Sequence, residues 1–191
     1  SSAASDVYKR QLLGSRKSQT YSNFNDFMYN LSYWSSWSNG FNIWKSEFDK
    51  IDKNLKLNKL FPHTSLFLTQ HQAKLFCIND NLLFDVQRIP KRGGHNKFEA
   101  FTIEYPSLLD ECCKKGHIST KCKKHILFGI MVQFLPSLLF NKYIIRIETF
   151  DDTGFRDNLK KYYPSYAYWL VLISVLGVPF RLFCRKLKNK R

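Results

Sequence analysis

The chain has 191 residues, of which 44% are apolar and 16% aromatic, and this hydrophobic content excludes a mainly disordered protein. Its formal net charge of +15 favours binding to polyanions, either nucleic-acid phosphates or an anionic membrane surface. Its five cysteines are too few and too scattered for a small disulfide-rich scaffold. Composition therefore leaves two broad classes, a basic nucleic-acid-binding protein and a membrane protein with basic flanks.

The start of the chain is predicted to contribute nothing to the fold. Residues Ser1–Gln11, SSAASDVYKRQ, resemble the translated read-through of a cDNA-library adaptor, and a basic, serine-rich stretch follows them. We therefore expect residues 1–20 to be an adaptor scar and a disordered lead, with the natural amino terminus missing. If the resemblance is accidental, the same residues are a polar, mobile tail.

Residues 21–161 are predicted to form one extramembrane α+β domain. Aromatic residues between Phe27 and Phe48 recur at the three- to four-residue spacing of a helix. The pair Asn39-Gly40 interrupts this pattern. The pattern indicates two short helices, or one helix followed by an irregular aromatic segment.

From Thr64 to Tyr105 the apolar pattern changes to the two-residue period of strands. The short segments TSLFLTQ, AKLFCIN, LLFDVQRI and KFEAFTIEY are separated by turn-forming residues, which predicts an antiparallel meander. The expected fold class is therefore α+β, an antiparallel β meander with helices, followed by one carboxyl-terminal transmembrane helix.

The middle of the chain holds an apolar run between two other predicted elements. YPSLLDECCKKGHISTKCKKH is predicted as a basic connector and KYIIRIETF as a strand. Between them, Ile126–Phe140 is a run of 15 residues, about 22 Å as a helix, that contains Gln133 and Pro136. This length favours a core or interfacial helix over a tilted or re-entrant membrane segment, because a span needs about 20 apolar residues.

Residues 162–184 are predicted to cross a membrane. Tyr166–Cys184 would be about 28 Å long as a helix, close to the hydrocarbon thickness of about 30 Å. Ten of its residues are Leu, Ile, Val or Phe, which together favour insertion by about 3–6 kcal/mol. The alternative is a buried core helix, in which Gly177 and Pro179 would be less well tolerated.

Both flanks of this segment agree with a membrane span. Aromatic side chains that suit the interface precede it, and basic side chains that suit anionic head groups follow it. The predicted membrane-interface residues are Tyr166, Tyr168, Trp169, Arg181, Arg185, Lys186, Lys188, Lys190 and Arg191. By the positive-inside tendency, residues 185–191 form a basic cytoplasmic tail, and Arg181 can extend its charge toward the head groups.

The segment RIPKRGGHNK is a second basic cluster, centred on a Gly-Gly pair. It lacks the Gly-Lys-Ser/Thr ending and the following helix of a P-loop, so a solvated turn is its ordinary interpretation. Its functional interpretation is contact with anionic lipid head groups. The residues that would make this contact are Arg88, Lys91, Arg92 and Lys97.

The segment CCKKGHISTKCKKH carries side chains that can bind a metal. Cys112 and Cys113 are adjacent, which is poor spacing for one tetrahedral zinc site, and five lysines oppose a cation. We therefore predict a solvated basic loop, with no metal and no cofactor. The ligands of a metal site, if one formed, would be Cys113, His117, Cys122 and His125.

Asn30-Leu31-Ser32 fits the acceptor rule for N-glycosylation. The modification requires that these residues lie in a lumen or outside the cell. A single span with a cytoplasmic tail would place Asn30 on that side of the membrane.

The stretch IETFDDTGFRDNLKKYYPSYAYWLVLISVLGVPFRLF resembles the end of the transmembrane protein 151 family, multi-pass proteins of animals and many protists. In that family an acidic, glycine-containing stretch, here Glu148–Arg156, precedes a membrane helix that ends in a Pro-aromatic-Arg step. That step is here Pro179, Phe180 and Arg181, and the similarity covers about a fifth of the chain. The resemblance implies an integral membrane protein without established catalytic residues.

No nucleophile elbow, paired carboxylate or metal-protease motif is recognisable in the sequence, so we predict no enzymatic activity. We expect a fragment of an integral membrane protein with a structural, scaffolding or interaction role. Its expected partners are the lipid bilayer and anionic lipid head groups, and nucleic acid is not expected. The alternative is a soluble, basic nucleic-acid-binding protein whose closing apolar segment is a core helix.

Overall fold

The structure, a computed structural model, describes residues 18–37, 42–79 and 96–188, with side chains to residue 184. These residues are mostly helical and include a two-stranded antiparallel sheet, which confirms the α+β class. The chain divides into two compact units, and the predicted domain of residues 21–161 contributes to both. The first unit is Ser1–Ile89 with Leu108–Ile126, and the second is Pro90–Ser107 with Leu127–Arg191.

The described part of the first unit begins with strand β1 and ends in two helices that continue into the second unit. In chain order its elements are β1 (Ser18–Tyr21), α1 (Phe24–Leu31), a 3₁₀ turn (Ser32–Ser36), α2 (Lys45–Phe48), α3 (Pro62–Leu68), a 3₁₀ turn (Thr69–Gln72) and β2 (Phe76–Asn79). Helix α5 (Tyr105–Lys114) and helix α6 (Thr120–Gly129) then contribute their residues 108–114 and 120–126. The helices predicted in the aromatic segment are thus present as α1 and the short α2.

The sheet joins two strands that are far apart in sequence. Strand β1 pairs antiparallel with β2, so that Tyr21 lies opposite Phe76. Beside them, the ring of Phe27 stacks on that of Phe76 at 5.0 Å between centroids. Helix α1 begins at Asn23, whose side chain accepts the amide hydrogen of Asp26.

The predicted meander is wrong in two of its four strands. TSLFLTQ lies in α3 and the 3₁₀ turn after it, because Pro62 starts α3 at a position where its missing N–H costs nothing. KFEAFTIEY begins a helix, because Asn96 caps it by accepting the amide hydrogen of Glu99 at 2.9 Å. AKLFCIN contains β2, and LLFDVQRI lies outside the described residues.

The predicted basic connector is helical as well. Helices α5 and α6 occupy most of it and are joined at Gly116, which has the left-handed φ of +76°. The strand predicted for KYIIRIETF is also wrong, because the helix that starts at Thr120 continues to Ile144. We call Thr120–Ile144 the long helix.

Non-helical connections, among them residues 145–154, join the helical segments in the described part of the second unit. The helical segments are α4 (Lys97–Glu99), a π-helical turn (Ala100–Glu104), the start of α5, the end of α6, a π-helical turn (Ile130–Phe134), α7 (Leu135–Leu139), a π-helical turn (Phe140–Ile144), α8 (Phe155–Tyr162), α9 (Ala167–Leu176) and α10 (Val178–Lys188). The core includes Phe98, whose ring lies 5.0 Å from that of Phe155. Tyr163 donates its buried hydroxyl to the carbonyl of Phe101 at 2.7 Å.

Two described segments are apolar enough to cross a membrane by length and composition. The long helix has a mean hydropathy of 1.3 in its best window, and 44% of that window is buried inside the protein. The second segment is the pair formed by α9 and Val178–Cys184, whose axes differ by 49°. The expected single helix of residues 162–184 is therefore broken in the structure, since Gly177 ends α9 and Pro179 lies in the first turn of α10.

Candidate functional site

Helix α9 is apolar around its whole circumference but is not enclosed by the protein. Its sequence is AYWLVLISVL, in which Ser174 is the only small polar residue and Tyr168 and Trp169 are aromatic residues with one polar group each. Of its ten residues, all of them described, only Ala167 and Val171 are buried. A helix that is hydrophobic all round normally lies in a protein core or in lipid. Five of the other α9 residues are half-buried and Trp169, Ile173 and Leu176 are exposed, so the helix packs against the protein on one side only.

The large exposed apolar residues of α9 and α10 recur at helical spacing. They are Trp169, Ile173, Leu176, Phe180 and Phe183, which we call the apolar stripe. Their spacings alternate between four and three residues, which places them on one side of a helix. Leu176 is 81% exposed and Phe180 is 70% exposed. Exposed large apolar side chains in a contiguous patch mark a binding surface.

Arg181 folds back onto the second unit. Its Nη1 donates a hydrogen bond to the carbonyl of Val132 in the long helix, and its Nη2 donates to the carbonyl of Ser174 at 3.2 Å. In a regular α-helix the Val132 carbonyl would accept from residue 136, but Pro136 has no N–H. Arg181 therefore supplies a donor at a point where proline removes one, and its predicted contact with head groups stays a prediction.

The predicted aromatic interface residues cluster before and at the start of α9. Tyr166 is 59% exposed and Trp169 is 60% exposed. The ring of Tyr168 lies 5.4 Å from that of Trp169 in an edge-on arrangement, and the guanidinium of Arg156 sits over Tyr168 at 5.4 Å. This cluster joins the apolar stripe at Trp169.

The segment between the long helix and α8 is held by Asp152. Lys142 donates to Asp152 Oδ1 and to the carbonyl of Phe150, each at 2.6 Å, and Tyr143 donates to Asp152 Oδ2. Burial raises the pKa of Asp152, but the hydrogen bonds from Lys142 and Tyr143 outweigh it and leave the pKa below its usual value. Asp152 thus has a structural role in this segment.

The basic residues predicted to contact head groups are described only in part. The Nζ of Lys97 lies 3.7 Å from the centre of the Phe150 ring, so this lysine packs on its own unit. Residues 185, 186 and 188 lie on the backbone of α10, but their side chains are outside the described part. Arg88, Lys91, Arg92, Lys190 and Arg191 also lie outside the described residues.

The four residues considered as metal ligands have separate neighbours. The ring of His117 stacks on His71 at 3.5 Å, and that of His125 stacks on Tyr29 at 3.9 Å. The sulfur of Cys113 lies 3.8 Å from Thr120 Oγ1, whereas the buried Cys122 donates to the carbonyl of Asn25 at 3.6 Å. Among the described residues, no group of three or more His, Cys, Asp or Glu side chains could hold a metal ion.

The His71–His117 pair lines an open cleft of about 760 Å³ in the first unit. The cleft also contains Ser119, whose amide donates to Asn25 Oδ1 at 2.7 Å and whose hydroxyl accepts the amide hydrogen of Cys122. Burial, followed by the nearby His71 and Lys115, lowers the pKa of His117. The contact of Ser119 with Cys122 caps helix α6, and its contact with Asn25 joins this helix to α1 within the first unit.

Asn30 lies on the exposed side of α1. Its side-chain amide donates to the carbonyl of Asp26 at 2.8 Å, one helical turn earlier. The predicted glycosylation acceptor is thus at the surface of the first unit.

The chain matches no protein-family model, no curated protein and no solved structure.

Proposed function

We propose that this chain is a membrane-anchored protein with a non-catalytic structural, scaffolding or interaction role, held to the bilayer by α9 and α10. The observation that carries the proposal is that large apolar side chains are exposed along one side of α9 and α10, in a segment that is apolar on its other side as well. Lipid is the environment in which such a surface is stable.

The energy available from the apolar stripe is sufficient for anchoring. Full burial of a large apolar side chain contributes about 1.5–3 kcal/mol relative to its exposure in water. The five stripe residues are 59–81% exposed, so transfer of the stripe from water to hydrocarbon would contribute about 5–10 kcal/mol. Each basic residue of the following tail adds about 1 kcal/mol beside anionic head groups.

The similarity to the transmembrane protein 151 family supports the same proposal. The similar stretch runs from the segment between the long helix and α8 through α8, α9 and the start of α10. These elements include both the aromatic cluster before α9 and the apolar stripe. A membrane location is what the resemblance implies for this part of the chain.

The alternative is a soluble nucleic-acid-binding protein, which the net charge of +15 would suit. This alternative requires the closing segment to be a core helix. Ala167, Val171 and Val178 are its buried apolar residues among those described, and the five stripe residues face outward. The exposure of the stripe therefore favours the membrane proposal.

Flotation of the full chain with vesicles tests the proposal. We expect it to float with phosphatidylcholine vesicles, to float more efficiently when phosphatidylserine is present, and to remain bound at high salt because apolar burial is not screened. Failure to float with either vesicle contradicts the proposal. Retention on DNA or RNA that falls steeply with salt, in a chain that does not float, would instead support the alternative.

A further inference from the structure

The bent shape of the carboxyl-terminal segment limits how it can enter a bilayer. Helix α9 has ten residues, so it reaches only about 15 Å, half of the hydrocarbon thickness of about 30 Å. Its axis then turns by 49° into α10. A straight span would require the helix to continue through Gly177 and Pro179.

Arg181 holds this bend in place. It donates to the carbonyls of Val132 and Ser174, one in the long helix and one just before the bend. Straightening α9 and α10 would take the guanidinium away from both carbonyls, and in hydrocarbon neither carbonyl would find a water molecule as a new donor. Unsatisfied polar groups and charges are costly there, so the bent arrangement is the stable one.

The buried and exposed sides of the segment are distinct. Ala167, Val171 and Val178 are 0–4% exposed, whereas the apolar stripe lies on the other side. One side of the α9–α10 segment thus packs against the protein, and the opposite side can contact lipid. The segment can therefore lie in the interface plane, with the rest of the second unit on the side where an isolated interfacial helix would carry its polar face.

The long helix does not supply a second span in this arrangement. The ring of its Phe134 lies 4.1 Å from Phe101, which belongs to the same helical run as Glu99 and Glu104. Moving Phe134 into the bilayer centre would bring these carboxylates to the hydrocarbon with it. The part of the long helix that belongs to the second unit therefore packs against its own unit, where Ile130 and Leu135 are fully buried.

We propose that α9 and α10 anchor the protein in one leaflet only, lying along the interface with the apolar stripe toward the acyl chains and the basic tail at anionic head groups. The proposal rests on the membrane function proposed above and specifies its geometry. Lipid, rather than a second copy, is the occupant because aromatic residues precede the stripe and basic residues follow it, as at membrane interfaces.

The side of a sealed microsomal membrane on which Asn30 and the carboxyl terminus lie tests this geometry. The full chain, with an epitope tag after Arg191, is translated with microsomes that glycosylate a secreted reporter in the same reaction. One-leaflet anchoring predicts no glycan at Asn30 and complete removal of the tag by external protease. It also predicts no glycan on the D151N variant, which turns Asp151-Asp152-Thr153 into an acceptor site at an exposed loop.

Each topology that crosses the membrane gives a different result. With a single span, either Asn30 lies in the lumen and is glycosylated, or the tag lies in the lumen and is protected from protease. With two spans, either residue 151 lies in the lumen and the D151N variant is glycosylated, or Asn30 and the tag both lie in the lumen, so that Asn30 is glycosylated and the tag is protected. Any of these results in floating microsomes overturns one-leaflet anchoring while leaving membrane anchoring intact. Absence of the chain from floating microsomes overturns both. If the chain floats with the microsomes, carries no glycan and loses its tag to protease, the result supports one-leaflet anchoring. If the chain does not float and is instead a dimer in solution, the apolar stripe binds a second copy of the chain.

Discussion

The guanidinium of Arg181 donates a hydrogen bond to the carbonyl of Val132, 49 residues away in sequence. The donor that a regular helix would provide to this carbonyl is missing because position 136 is a proline. The contact therefore couples the region around Pro136 in the long helix to the bend between α9 and α10. It keeps the apolar stripe on the outer side of the second unit.

A double-mutant cycle between Arg181 and Pro136 measures this coupling. We expect R181M to lower the free energy of unfolding by about 1–3 kcal/mol, because the carbonyls of Val132 and Ser174 lose the donor that Arg181 provides. In the P136A background the N–H of residue 136 can donate to the Val132 carbonyl. The loss of unfolding free energy caused by R181M should therefore be smaller there, by about 0.5–3 kcal/mol. Thermal unfolding in mild detergent, followed by circular dichroism, provides the measurement.

The control for that cycle is K160M, which removes an exposed ion pair with Asp157 and should change stability by less than about 1 kcal/mol. Equal costs of R181M in both backgrounds would show that Arg181 does not compensate for Pro136.

Straightening the carboxyl-terminal segment should change its topology. In P179A/R181L, the proline that interrupts the helix and the charge that holds the bend are both removed. Ala167–Cys184 could then form one helix of about 27 Å, long enough to cross a thin bilayer. We expect Asn30 to acquire a glycan or the carboxyl-terminal tag to become protected in microsomes. An unchanged, fully accessible variant would mean that the bend does not decide the topology.

The cysteines should differ in reactivity according to burial. Burial raises the pKa of the Cys112 thiol to about 11, so little of the nucleophilic thiolate is present at neutral pH. Cys77 is exposed. We expect iodoacetamide to label Cys77 at least about tenfold faster than Cys112 in the folded chain. Peptide mass mapping of native and unfolded samples gives both rates, and equal native rates would contradict the buried position of Cys112.

The stability of the first unit should fall in mild acid. The pKa of His117 lies below its ordinary value of 6.5 because burial, and then His71 and Lys115, disfavour the charged ring. The unfolded chain therefore binds a proton at a higher pH than the folded chain does. The stabilisation is complete above about pH 6.5 and is lost as the pH falls below it, by at most about 1.4 kcal/mol per pH unit.

Unfolding by urea across this pH range, in the wild type and in H117Q, tests that assignment. The variant should show a shallower decline, because its side chain does not titrate. A decline of identical slope in both proteins would assign the pH dependence to other groups.

The sequence allowed the apolar and aromatic character of the carboxyl-terminal segment to be predicted, but not its shape. Gly177 and Pro179 are compatible with a membrane helix, and only the position of Arg181 against Val132 explains why the segment bends there. The apolar stripe could have been found from its four- and three-residue spacing. Its exposure could not, because that depends on which side packs on the protein.

Strand prediction failed where local capping decided the structure. The alternation in KFEAFTIEY resembles a strand, yet Asn96 and Glu99 start a helix in which Phe98 and Phe101 are buried. Strand β2 pairs with β1, some 60 residues away, and no local turn signal indicates such a partner. The stacking of His71 on His117 likewise joins residues from distant elements.

Paired charge substitutions test the claim that the apolar stripe binds lipid. In L176E/F180E two exposed stripe residues become acidic, and in the control W44E/L75E two exposed apolar residues of the first unit do so. All four side chains are exposed, so both variants should keep the wild-type circular dichroism spectrum. We predict that L176E/F180E weakens partitioning into phosphatidylcholine vesicles by more than about 100-fold, since two large side chains contribute about 3–6 kcal/mol, while the control stays within about threefold of wild type. Equal partitioning of the two variants would contradict the claim.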